Sequence, residues 1–133
     1  MTILVDTSVW SLALRRDVPS DGVEVDALRQ ALSAGSLVVT TGLILQELLQ
    51  GFTGPHARAD ILERFRTLPI VSPDRVDHIE AAGLRNQCRR AGVQIGTIDA
   101  VIAQLCIRHA LTLLTADQHF RHMAKHVPLK LLT

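Results

Sequence analysis

Four acids in this chain stand where apolar residues would be expected. Asp6 closes the run Ile3, Leu4, Val5; Glu47 interrupts the leucines of GLILQELLQG at 42–51; Asp99 opens the apolar stretch TIDAVIAQLC; Asp117 comes just after TLLT at 112–115. Asp6, followed at once by Thr7 and Ser8, reads first as a helix cap, because such side chains accept hydrogen bonds from free N–H groups at a helix start. Asp99 and Asp117 admit the same reading, since negative groups are favoured at helix N-termini. Glu47 resists it, because an ionised carboxylate among leucines is costly unless paired or coordinated, although it could share a polar stripe with Gln46 and Gln50. If the four acids met in one crevice they would repel one another and force some to hold protons. A hard divalent cation removes that conflict, and all-oxygen ligands favour Mg²⁺ or Mn²⁺ over zinc. Such sites activate water as a nucleophile and stabilise charge developing on a phosphoryl group. Thr7, Ser8 and Thr115 are of the type that orients carboxylates from behind.

The elements that would bring these acids together can be read from the apolar pattern. Residues 3–6, 37–40, 68–71, 112–115 and 129–132 are short apolar runs bounded by polar residues, Pro or Gly, and predict strands. Between them, 8–16, 23–34, 42–51, 55–66, 74–91 and 98–109 predict helices; in the last, Ile98, Val101, Ile102, Leu105 and Cys106 recur at three and four residues and define one apolar face. Turns are expected at 18–22, 51–56 and 91–97, where Gly, Pro and Asp gather. Strands alternating with helices imply an α/β fold, a mostly parallel sheet of about five strands with helices on both faces. Ligands of such sheets bind at the carboxyl ends of the strands. Three of the four acids fall at strand ends or helix starts on that edge, and Glu47 lies in a helix leaving it.

With 133 residues, the chain is one domain by size, 1–133. Its apolar runs are interrupted by Asp6, Gln46 and Glu47 well short of the roughly 20 residues that span a membrane, and no basic stretch precedes an apolar one as in an export signal. Cys88 and Cys106 have no CxxC spacing, which suggests buried, reduced thiols in a cytoplasmic protein. A net charge of +1 does not mark the chain as a nucleic-acid binder. The distribution says more than the sum: Arg85, Arg89 and Arg90 crowd one helix, where they would contact a phosphate backbone without reading bases. His119, His122 and His126 share a spacing open to a zinc reading, but three ligands on one helix rarely all reach one tetrahedral ion. Trp10, the sole tryptophan, reads as core, with a groove for a partner helix as the second reading.

LVDTSVW, LQELLQG, GTIDAVIAQLC and LLTADQHF, in that order, resemble the four acidic motifs of the PIN-domain ribonucleases, over Ile3 to Phe120. The short length and the DTSVW opening are most similar to the VapC-type toxins of bacterial toxin/antitoxin pairs. The resemblance implies a single PIN-like domain in which Asp6, Glu47, Asp99 and Asp117 bind Mg²⁺ or Mn²⁺ and Thr115 supports them. It also implies endonucleolytic cleavage of structured or single-stranded RNA by metal-activated water, a homodimer, and a cognate antitoxin. Many relatives carry a further Asp two positions after the fourth acid; here that position is His119, which leaves open whether one metal or two is bound. The alternative is a non-catalytic PIN-fold module that grips RNA or protein. A haloacid-dehalogenase-like phosphatase would need Asp where Ser8 stands, and a receiver domain would need acids and a lysine that are missing.

Overall fold

The computed structural model describes residues 1–15 and 22–132. Most of the turn expected at 18–22 and the last residue of the helix expected at 8–16 lie outside them. Three parallel strands, β1 (Thr2–Val5), β2 (Leu37–Val39) and β3 (Thr112–Leu114), form a sheet in the order β2-β1-β3. Ile3 sits opposite Val38 on one side and Thr112 on the other, so β1 is the central strand. All of its residues after Thr2 are buried, as expected of a parallel strand covered on both faces. Among the described residues, seven helices accompany the sheet: α1 (Thr7–Leu14), α2 (Val23–Ser33), α3 (Gly42–Gly51), α4 (Pro55–Phe65), α5 (Arg75–Arg90), α6 (Thr97–Arg108) and α7 (Gln118–Met123).

The α/β architecture with a parallel sheet agrees with the sequence reading. The outer two of the five expected strands, 68–71 and 129–132, correct it in detail. Each joins the sheet through a single parallel bridge, Ile70 to Thr40 and Leu131 to Leu113. Thr40 donates to the Pro69 carbonyl and accepts from Val71 N–H, and Leu113 exchanges the same pair of bonds with Lys130 and Leu132. Proline has no N–H to extend a ladder, and Pro69 and Pro128 stand in or beside these segments. The sheet thus keeps five positions in width but only three full strands.

The helices follow their predicted bounds closely, and α7 is additional to them. Helix α6 departs from the expected single apolar face: Ala100 to Cys106 are all buried, as in a helix surrounded by core. Its one polar residue in that run, Gln104, donates to Asp77. Trp10 is core, 3% exposed, with its ring centroid 4.9 Å from that of Phe65. Cys88 and Cys106 are buried free thiols. No helix among the described residues is long and apolar enough to cross a membrane.

An ion pair between exposed Arg108 and the buried Asp77 carboxylate joins α5 to α6. Asp74 and Asp77 form a reciprocal capping box at the start of α5. Arg108, at the end of α6, donates to Asp77 at 2.7 Å and to Asp74 at 2.9 Å. Burial opposes ionisation of Asp77, but the Asp74 N–H, the Gln104 amide and Arg108 outweigh it and hold the carboxyl below its usual value.

Candidate metal centre

All four predicted acids reach the carboxyl-terminal edge of the sheet, each carried by a different element. Asp6 continues the central strand by one residue, its N–H bonding the Leu114 carbonyl at 2.9 Å. It occupies the N-cap position of α1, yet its side chain makes no capping bond. The carboxylate instead accepts at Oδ2 from Ser8 Oγ (2.8 Å) and Thr115 Oγ1 (2.9 Å). Thr115 in turn accepts the Asp117 N–H, and Ser8 accepts the Ala116 N–H. Two hydroxyls, each tethered to the loop after β3, therefore lock the Asp6 carboxylate in place.

Asp117 is the N-cap of α7 and does cap it, accepting the His119 N–H at 2.9 Å. For this acid the capping reading holds alongside any other role. Asp99 lies in the first turn of α6, half-buried, where Gly96 provides no side-chain cap. Glu47, half-buried on α3, accepts from Thr7 Oγ1 at 2.8 Å. That bond supplies part of the pairing its leucine-rich helix demands, and ties Glu47 to the residue beside Asp6.

Asp99, Asp117 and His119 each offer a ligand atom within 4.8 Å of the others'. Atoms sharing one Mg²⁺ at about 2.1 Å lie at most about 4.2 Å apart, so a small closing movement lets this trio share an ion. The trio offers two carboxylates and one imidazole, with the Asp6 and Glu47 carboxylates nearby, an oxygen-rich set that fits a divalent cation. His119 is the residue that sequence reasoning left out of the ligand set. It lies 3.5 Å from Asp117, and the signal was its position two residues past that acid. Of the three histidines, it alone joins this cluster, and His126 lies beyond the end of α7.

The electrostatics record the crowding. Asp99 is pushed up to about 6, first by burial and then by the charges of Asp6, Asp117 and Glu47, with His119 acting in the opposite sense. Asp6 is also raised, chiefly by burial, with Asp117 adding to it while Ser8, Thr115 and the Thr7 backbone pull it down. The Cys106 thiol is pushed up to about 12 by burial and by Asp6, which makes it inert.

These shifts have a sign. A carboxyl raised in the folded state stabilises the protein fully below its unfolded value and loses that contribution as pH rises through its folded value. In chelator, the wild type is therefore expected to lose stability between about pH 4 and pH 6.5 relative to Asp99→Asn. The difference is on the order of 1–2 kcal/mol once the solvent still reaching Asp99 is allowed for. Thermal melts of both proteins across that range check this, and parallel pH profiles would contradict it.

The PIN domain family model matches residues 3–126, and the chain belongs to that family. Several solved structures share the fold. VapBC2 from Rickettsia felis, solved bound to a DNA fragment from their promoter, matches with a TM-score of 0.77 and 20% identity, over 99% of this chain and 98% of that one. FitAcB from Neisseria gonorrhoeae gives 0.74 and 23%, over 98% and 96%. VapC20 from Mycobacterium tuberculosis, a sarcin–ricin loop cleaving toxin, gives 0.68 and 17%, over 96% and 98%. At these identities the likeness is one of fold. No curated protein matches the sequence.

Proposed function

We propose that this chain is a Mg²⁺- or Mn²⁺-dependent endoribonuclease and the toxin of a toxin/antitoxin pair. The observation that carries the reading is the clustering of Asp99 and Asp117 with His119 at one sheet edge, with Asp6 and Glu47 near enough that, after burial, their charges help push Asp99 up to about 6. Carboxylates assembled at such electrostatic cost are what a cation site needs. A divalent cation bound there supplies polarisation of the phosphoryl oxygens and a nucleophilic water at neutral pH.

Each side chain has a separate task. Asp6, Asp99 and Asp117 are the anionic ligands, and Glu47, oriented by Thr7, is the fourth. Ser8 and Thr115 hold Asp6 in a fixed rotamer, and Thr115 also fixes the backbone from which Asp117 projects. His119 stands beside Asp117 where many relatives place another acid, so this position adds no negative charge facing a phosphate. Single-stranded or looped RNA fits best, because its backbone and bases can be splayed over an open edge. The toxin role and the antitoxin partner are supported by membership of the PIN domain family together with fold likeness to the VapBC and FitAB structures and to VapC20; a homodimer and a cytoplasmic location belong to the same proposal.

Induced expression in a bacterial host lacking any antitoxin is expected to arrest growth, and Asp6→Asn is expected to relieve the arrest at equal protein level. Normal growth with folded wild-type protein accumulating would contradict the toxin reading.

A further inference from the structure

A cavity of about 460 Å³ opens beside the acid cluster, between α5 and the loop that leads into α6. Arg85, Arg89 and His119 line it, together with Gln94, Ile95 and Gly96 of the loop. His119 belongs both to this wall and to the acid cluster, so the two spaces adjoin. Arg85 is half-buried and directed, its Nε donating to the Ile95 carbonyl at 3.0 Å. Arg89 is exposed and donates to Asn86 Oδ1 at 2.9 Å. Neither has a carboxylate partner among the described residues, a property shared with Arg58, Arg75 and Arg90; what sets Arg85 and Arg89 apart is that both line this cavity. Gly96, the N-cap position of α6, belongs to the same wall.

Two arginines without acidic partners, next to a cluster of acids, form a site for an anion that the acids themselves would repel. Guanidinium groups match phosphate geometry. We propose that this cavity is a phosphate subsite that seats a phosphodiester of single-stranded RNA next to the one presented to Asp6, Asp99 and Asp117. The proposal rests on the nuclease reading for its choice of ligand. Arg90, the third arginine of the sequence cluster, does not line the cavity and takes no part. The subsite fixes which way a strand lies across the acids, and it does so through the backbone, independent of base identity.

The test is binding of a fluorescently labelled single-stranded oligoribonucleotide to the Asp6→Asn protein in Mg²⁺, measured by anisotropy over a series of KCl concentrations. Each phosphate neutralised on a single strand contributes about −0.7 to the slope of log K against log salt. Arg89→Met is expected to weaken binding and make that slope shallower by about 0.7. Arg85→Met on top of it is expected to weaken binding further with little added change in slope, because both arginines serve the same phosphate. Arg90→Met, which makes the same change in net charge on the same helix, is expected to leave the slope as it was. A merely structural defect lowers affinity without altering the slope. An unchanged slope in Arg89→Met, an equal loss in Arg90→Met, or no binding by the parent protein overturns the subsite. The nuclease reading fails separately: wild-type protein that binds RNA with the Arg89-dependent slope but never cuts it leaves the subsite standing alone.

Discussion

Asp6→Asn, Asp99→Asn and Asp117→Asn are each expected to lower the rate of RNA cleavage by at least about 10³-fold while leaving the fold intact. Cation catalysis contributes several kcal/mol of transition-state stabilisation, and each 1.36 kcal/mol is a factor of ten in rate. Asparagine keeps the shape of each side chain and removes the charge that binds the ion. For Asp6 it also leaves Ser8 and Thr115 an amide in place of the carboxylate they hold. Circular dichroism together with single-turnover cleavage separates loss of chemistry from loss of fold. Full activity in any two of the three variants would show that the four-acid site is not the catalytic one.

Asp77→Ala is expected to lower stability by about 2–4 kcal/mol, from loss of half a capping box and of the bonds from Gln104 and Arg108 to a buried carboxylate. That corresponds to a fall in melting temperature of roughly 10 °C. Because this carboxyl is held below its usual value, its contribution is present above the unfolded pKa and lost as pH falls through the folded one. The wild type should therefore lose its advantage over Asp77→Ala in acid, a dependence opposite in sense to that of Asp99. Denaturant melts at neutral and acid pH check both points, and a difference below about 1 kcal/mol at neutral pH would show the pair to be dispensable. The effect reaches function because α5 and α6, which this pair joins, carry Arg85, Arg89 and Asp99.

The acids were legible in the sequence because each broke a local pattern. Asp6 and Asp117 end apolar runs, and Glu47 lies in a leucine-rich helix. A parallel sheet then brings the strand ends that carry Asp6 and Asp117 to one side, and the start of α6 and the packing of α3 add Asp99 and Glu47. What the sequence concealed depends on longer-range geometry. His119 joins the cluster because capping by Asp117 turns the chain back at once into α7, a helix of six residues, too short to show a period. The pairing of Asp77 with Arg108 spans 31 positions and leaves no local trace. The outer strands failed for a local reason that was visible: Pro69 and Pro128 limit the ladder to one bridge on each side. Of the three neighbouring arginines, only the folded helix shows that Arg85 and Arg89 face the loop at 93–96 while Arg90 does not.

The measurement that bears most directly on the central claim is incubation of the purified chain with total cellular RNA in Mg²⁺ or Mn²⁺, with and without chelator, followed by mapping of new 5′ ends against an Asp6→Asn control. The account predicts discrete cuts that disappear both in chelator and in the variant. RNA left whole by folded, antitoxin-free protein in either ion, or cuts that persist in chelator, would contradict it.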